Sequence, residues 1–300
     1  TTIIANSKPN AGFILPEVCL LDPFAQFTNT SSVAAPSTIT SWLWNFGDPA
    51  SGPLNTSTVQ NAQHDYNLIG NYDVKLIVIT NNGCRDTITQ ILTINSGDPM
   101  ANFVQETPGL NCANDSVGII NQSTITSGTI TKLEIIWDNV GAPTVINTDD
   151  FPTPGKIYRH KYADFQSPLT RTFSVRMRAY SGGICFSDRI VSITVNASPR
   201  VQFNAIPNTC YVRAPFQIRQ ASEIGGVPGN GVFSGPGVSP TGIFDPAGQP
   251  LGVPLTIKYV YTATAAGCRD SASQTITILD TAQAKFTVAP VKCERSAIIF

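Results

Sequence analysis

Four stretches of the chain repeat one plan, and this repetition constrains the fold more than any other feature. Thr2-Ile3-Ile4-Ala5 leads through Ser7-Lys8-Pro9 to Ala11-Gly12-Phe13, and Leu92-Thr93-Ile94-Asn95 leads through Gly97-Asp98-Pro99 to Ala101-Asn102-Phe103. Ile193-Thr194-Val195-Asn196 runs through Pro199 to Val201-Gln202-Phe203, and Ile276-Thr277-Ile278-Leu279 runs through Asp280-Thr281 to Ala284-Lys285-Phe286. Each joins an alternating β-type segment to a short polar or proline-containing linker and then to a strand ending in Phe, which is how one sandwich hands over to the next. The starts at 11, 101, 201 and 284 are 90, 100 and 83 residues apart by subtraction, the lengths of Ig-like modules.

This predicts an all-β chain of tandem Ig-like antiparallel sandwiches. Residues 1–10 read as the last strand of a preceding module plus a linker, 11–98, 99–198 and 199–281 as three complete modules, and 282–300 as the truncated start of another. A parent protein of at least five modules is expected. Within each module one late strand alternates with period two. Tyr72, Val74, Leu76 and Val78 oppose Asp73 and Lys75, while Phe173, Val175, Met177 and Ala179 oppose Ser174, Arg176 and Arg178. Ile257, Tyr259, Tyr261 and Ala263 oppose Lys258 and Thr262. Such alternation marks half-buried antiparallel strands. No capped 3.6-residue stripe accompanies it, so helices should be few and short.

The polar positions are unusual. Charged residues make up 13% of the chain, against about 25% in ordinary soluble domains, and Thr, Ser, Asn and Gln take their place, a habit of extracellular β-proteins. A net charge of −1 offers no field to gather phosphates, so nucleic-acid binding is not expected. The longest apolar runs, such as Leu76 to Ile79, fall far short of a membrane helix, which needs about 20 residues. No leader sequence stands at Thr1; the segment is expected to begin downstream of one in a secreted protein.

The module boundaries sort six of the seven cysteines into pairs, one after each opening Phe strand and one after each late strand. They predict bridges Cys19–Cys84, Cys112–Cys185 and Cys210–Cys268, one inside each module, with Cys293 bonded to a partner beyond Phe300. The loops closed are 65, 73 and 58 residues by subtraction, for which chain entropy gives about 4 kcal/mol each. Metal binding fits poorly, since no C-x₂-C pair exists and neither histidine lies near a cysteine. Cystines imply an oxidising compartment, the periplasm or the cell exterior.

Trp42-Leu43-Trp44-Asn45-Phe46-Gly47-Asp48, His64-Asp65-Tyr66, Gly70-Asn71-Tyr72-Asp73-Val74 and Asn82-Gly83 resemble the four segments of the PKD domain, an Ig-like sandwich with the pattern W-x-F-G-D, H-x-Y, G-x-Y-x-V and a late N-G turn. The second module keeps Trp137-Asp138 and His160-Lys161-Tyr162 without the F-G-D segment and reads as PKD-like. The third has Gly235-Pro236-Gly237-Val238, Gly242-Ile243-Phe244-Asp245-Pro246 and Tyr259-Val260-Tyr261. It resembles an Ig-like repeat of very large surface proteins of Bacteroidota, including gliding-motility adhesins exported by the type IX system. That resemblance implies an adhesin or filament segment.

The chemistry-bearing residues read blandly. His64 and His160 occupy the same H-x-Y slot in two modules and suit packing better than catalysis. Asp48 is one carboxylate against the six to eight oxygens that calcium takes, and an Asx-type turn is expected of it. Asp149-Asp150 is a paired carboxylate in a proline-rich loop, where adjacent side chains point apart rather than across a cleft. Gly225-Gly226 through Gly237 lacks the G-K-[ST] of a phosphate loop and reads as turns. Trp42 and Trp44 share a strand face; at least one should be core, and a fully exposed pair would suggest a sugar-stacking platform. Thr87, Ser116, Ser271 and Thr281 follow Asp in a D-[ST]-apolar motif that looks like the O-glycosylation acceptor of Bacteroidota, and Asn29, Asn55, Asn114 and Asn121 satisfy N-x-[ST]. No catalytic residue, cofactor or metal is expected. The partners expected are neighbouring modules, with surface glycans or other cell-surface proteins as possible ligands. The function expected is a structural or adhesive stalk or filament segment, reinforced by its cystines; the alternative is an accessory carbohydrate- or protein-binding region of a secreted protease or polysaccharide hydrolase.

Overall fold

In the computed structural model, which describes residues 6–281 with 285 and 287, the alternating segments are the long strands of three hairpins. Val74, Leu76 and Val78 are fully buried, as are Val175, Met177 and Ala179, while the residues between them face outward. Ile257 is likewise buried, with Tyr259 and Ala263 nearly so. Each apolar side chain removed from water contributes about 1.5–3 kcal/mol, and a one-residue slip would expose the whole set. The predicted first strand at 1–5 and most of the predicted further module at 282–300, with Cys293, lie outside the described residues.

The chain divides into two compact units, Thr1–Ala163 with Arg171–Val195, and Asp164–Thr170 with Asn196–Phe300. The first unit holds two sandwiches. One comprises β1 (Phe13–Ile14), β2 (Val18–Cys19), β3 (Ala25–Gln26), β4 (Thr28–Asn29), β5 (Ile39–Asn45), β6 (Thr56–Ser57), β7 (Gln63–His64), β8 (Gly70–Thr80) and β9 (Arg85–Asn95). Its main sheet runs β2-β9-β8-β5-β6, and the pairs β1-β4 and β3-β7 supply the opposing layer. Phe13, Ala25 and Phe27 from that layer meet Trp44, Leu76 and Leu92 in one core. A 3-10 segment, Pro49–Asn55, lies between β5 and β6.

The other sandwich comprises β10 (Phe103–Gln105), β11 (Val117–Asn121), β12 (Lys132–Ile136), β13 (Asn147–Asp149), β14 (Ile157–His160), β15 (Thr170–Tyr180) and β16 (Phe186–Asn196). Its sheets run β13-β12-β15-β16 and β10-β11-β14. The second unit carries β17 (Val201–Phe203), β18 (Thr209–Cys210), β19 (Phe216–Gln217), β20 (Ala221–Glu223), β21 (Gly229–Ser234), β22 (Ile243–Phe244), β23 (Pro254–Ala263) and β24 (Arg269–Leu279). The sheet β18-β24-β23-β21 is faced there by β17-β20 and β19-β22, around a core that includes Phe203, Phe233, Phe244 and Ile257.

Two features of this architecture recur. The early cysteine strand lies parallel to the end of the last strand, with Cys19 opposite Asn95 and Cys210 opposite Leu279. The residue two past the late cysteine ties down the opening strand. Asp86 Oδ2 accepts the Ala11 N–H at 2.9 Å, Ser187 Oγ that of Ala101 at 2.7 Å, and Asp270 Oδ2 that of Val201 at 2.7 Å. Two of the D-[ST]-apolar matches therefore contain an aspartate with a structural task.

The Ala11 N–H, followed by the Lys8 ammonium, holds the Asp86 carboxyl below its ordinary value of 3.8. A carboxyl depressed on folding stabilises above its unfolded pKa, and that contribution is lost as pH falls through the folded one. A carbon-13 titration of Asp86 should have its midpoint below 3.8, and Asp86→Asn should lower stability at neutral pH but not in strong acid. A midpoint at or above the ordinary value would contradict the lock.

Candidate functional site

Asn45 and Gly47 set the first aromatic cluster. Asn45 Oδ1 accepts the Gly47 N–H at 2.9 Å, and Gly47 has φ +73, with the place of a Cβ only 2.7 Å from the Asp73 backbone N and O. No larger residue fits that turn. The expected Asx turn thus belongs to Asn45, while the Asp48 carboxylate turns inward to His64, Oδ2 to Nε2 at 3.1 Å, with both residues buried. The His64 ring stacks on Phe46 at 4.6 Å and meets Tyr66 edge-on at 4.5 Å. Tyr66 donates to the Phe46 carbonyl at 2.8 Å and also packs on Tyr72. Burial, then the nearby Asp48 charge, pushes the Tyr66 hydroxyl far up, so it remains a donor. These contacts give His64 a packing role. A cleft of about 280 Å³ opens beside it, bordered by Phe24, Leu54 and Gln63.

The second sandwich rebuilds the cluster with one exchange. Tyr162 donates to the Trp137 carbonyl at 2.7 Å and stacks on Phe173, and Trp137 stacks on His160 at 5.2 Å. Trp137 therefore stands where Phe46 does, and not in the tryptophan position of W-x-F-G-D. Register agrees, since Trp44 lies opposite Leu76 and Ile135 opposite Met177, at matching points of the late strands. Burial holds the His160 pKa below the usual histidine value.

The other candidates do not converge. Asp149 accepts from Tyr158 at 2.5 Å, Lys156 at 2.6 Å and the Phe151 N–H at 3.1 Å, while Asp150 is exposed. Burial raises the Asp149 pKa, but its hydrogen bonds outweigh this and hold it below the ordinary range. The N–H groups of Gly225 and Gly226 both point at the Glu223 carboxylate, each at 2.8 Å, so the chain itself supplies their anion. Trp44 is core and bonds the Val59 carbonyl at 2.9 Å; Trp42 is half-buried against the same core, with no partner for its enclosed N–H. A fully exposed tryptophan pair is absent. Thr87, Ser116, Ser271 and Thr281 are exposed, whereas Asn121 is buried and bonded to the Thr153 carbonyl.

The cystines overturn the expected pairing. Cys19 is bonded to Cys185, from the first sandwich to the second, with the Cα atoms 6.2 Å apart and both residues almost wholly buried. Cys84 and Cys210 are free thiols, and Cys112 and Cys268 are each disulfide-bonded. Cys19–Cys84, Cys112–Cys185 and Cys210–Cys268 are therefore all excluded, and with them the rule of one internal bridge per module. The reason is geometric. The late cysteine immediately precedes the last strand and the early one lies beside that strand's far end, so 11 residues of strand separate them. That length is about 35 Å, and a cystine tolerates at most about 7 Å between Cα atoms.

Around the bridge the two sandwiches share a polar junction. The Asp22 carboxylate accepts the N–H groups of Cys19 at 2.9 Å, Gly183 at 2.9 Å and Ile184 at 2.8 Å. Buried Asn95 donates to the Ser181 carbonyl at 2.8 Å and accepts the Thr129 N–H at 2.8 Å; Ser181 Oγ donates to the Ser96 carbonyl at 2.8 Å. A Cβ at Gly182 would overlap the Cys19 N and lie 2.8 Å from its Cβ, so glycine permits the approach. Asp22, Asn95 and Gly182 were not singled out in the sequence; their only signal is position beside the cysteines and the module boundary.

Among solved structures, the chain is similar to the PKD1 domain of Vibrio anguillarum Epp, at 24% identity over 31% of this chain and 99% of that one, with a TM-score of 0.27. It is similar to the PKD1 domain of the Vibrio cholerae metalloprotease PrtV, at 32% identity over 29% and 96%, TM-score 0.25. It also resembles Clostridium thermocellum CbhA fibronectin(III)-like modules, at 13% identity over 63% and 94%, TM-score 0.39. No curated protein matches the chain. Residues 6–95 match the family model described as PKD domain, and all four motif segments fall inside them. The chain therefore belongs to the PKD domain family through residues 6–95.

Proposed function

We propose that the chain is a non-catalytic structural and adhesive stalk segment of a large secreted bacterial surface protein, of the kind that carries gliding-motility adhesins of Bacteroidota. The observation that carries this is the Cys19–Cys185 junction, which bolts one sandwich to the next and encloses their linker. Three modules, 11–98, 99–198 and 199–281, fit the repeats, and PKD domains are a non-catalytic module type. A junction with a buried cystine and hydrogen bonds to backbone groups resists salt and shear better than exposed ion pairs do. The four exposed D-[ST] hydroxyls suit glycosylation at the cell exterior, with neighbouring modules as the constant partners.

The second reading is an accessory region that binds a protein or glycan beside a secreted enzyme. In its favour, Phe151 is 85% exposed and Val140 79% exposed on loops of the second sandwich. Spin labels at positions 68 and 140 separate the readings. A stalk segment gives one narrow distance distribution while oxidised, whereas a broad distribution in the oxidised protein would rule out the stalk. Glycan binding that Trp42→Ala abolishes would favour the accessory module.

A further inference from the structure

Among the described residues, the two free thiols occupy the two halves of the observed staple. Cys84 stands where Cys185 does, at the tip of a long hairpin. Its carbonyl accepts the Thr80 N–H at 2.9 Å, as the Cys185 carbonyl accepts the Ser181 N–H at 3.0 Å. Cys210 stands where Cys19 does. It lies parallel to the end of the last strand, and Tyr211 N–H bonds the Leu279 carbonyl at 3.0 Å, as Leu20 bonds Asn95 at 2.9 Å. The following tight turn also recurs, Arg213 N–H to the Cys210 carbonyl at 3.1 Å matching Asp22 to Cys19 at 3.0 Å. Cys210 is exposed and Cys84 half-exposed.

We propose that Cys84 and Cys210 are complementary docking cysteines, each taking a module of this chain's own kind. Cys210 receives a hairpin-tip cysteine and Cys84 an early-strand cysteine, and a second copy of this chain presents both. Head-to-tail joining follows, because the two half-sites differ and a contact between unlike surfaces propagates rather than closing on itself. Arg213 and Asn81 replace Asp22 and Gly182, so the new contact keeps the cystine without its carboxylate clamp, and the strand that meets Cys84 stands further from Asn81 than Cys19 does from Gly182. The inference rests on the cystine geometry and stands whether or not the segment is a stalk.

The bond forms by exchange with a small disulfide such as oxidised glutathione. One thiolate attacks it and releases one glutathione, and the partner thiolate displaces the second. Two protein thiols become one cystine, and the two electrons leave on two molecules of reduced glutathione.

The test uses the full chain with Cys293→Ser, divided into a Cys84→Ser variant that keeps Cys210 and an isotope-labelled Cys210→Ser variant that keeps Cys84. Peptide mapping of Cys19–Cys185 in each establishes the fold. In a glutathione redox buffer the mixture should yield the mixed dimer linked Cys84–Cys210, each variant alone should stay monomeric, and the chain with both thiols should form a ladder. Like dimers as abundant as mixed ones, or no mixed dimer in a folded mixture, overturn the proposal.

Discussion

Pulled between handles at positions 8 and 189 in an oxidising buffer, the chain will withhold everything between Cys19 and Cys185, and reductant will release it as a single large gain in length. The cystine spans 166 residues, which extend to about 550–600 Å at 3.3–3.6 Å per residue. While the bond is intact the load passes from Cys19 directly to Cys185, so unfolding either enclosed sandwich adds nothing to the distance between the handles. Bridges inside each module would behave otherwise. The linker between 84 and 112 would extend before reduction, and reductant would then give two separate gains of 65 and 73 residues, by subtraction. The same cystine limits the unfolded ensemble. Closing a loop of 166 residues is worth about 5 kcal/mol in the chain-entropy model, comparable with the whole stability of a small domain. Two gains of unequal size, or none, would contradict this load path.

Trp44→Ala will cost about 3–5 kcal/mol, the range for removing a large buried aromatic side chain, and will unfold the first sandwich at moderate temperature. Trp44 is 2% exposed and sits among Phe13, Phe27 and Phe46, with ring centroids 5.1, 5.5 and 6.4 Å away. The substitution leaves a cavity between two layers and orphans the Val59 carbonyl that its indole N–H serves. Trp42→Ala on the same strand should cost less, because Trp42 is half-buried and its enclosed N–H already lacks a partner. Calorimetry on the two variants checks the order. A Trp44→Ala loss no larger than that of Trp42→Ala would mean that the core is centred elsewhere.

The features that could be read directly from the chain are those written in local periodicity. Alternation identified the late strands, and Phe13, Phe103 and Phe203, which mark the repeated starts, are all buried. The H-x-Y slot was also legible, because His64 and Tyr66 lie two apart on one extended segment and both pack inward. What escaped depends on contacts between distant segments. Counting cysteines per module paired Cys19 with Cys84, yet the parallel placement of Cys19 beside Asn95 puts them at opposite ends of one hairpin. The same placement brings the foot of one sandwich to the hairpin tip of the next. Trp137-Asp138 reads locally as the tryptophan of the motif without its F-G-D segment, and only the register of Ile135 opposite Met177 places Trp137 two residues further along. Asp86 and Asp270 looked like parts of a modification motif, since nothing local reveals that each carboxylate accepts an N–H from an opening strand some 70 residues away.

Peptide mapping of the unreduced protein, with free thiols alkylated before digestion, tests the inter-module staple most directly. For the monomeric fraction, the structure predicts a linked pair of peptides carrying Cys19 and Cys185, with Cys84 and Cys210 alkylated. A linked Cys19–Cys84 pair, or alkylated Cys19, would contradict it.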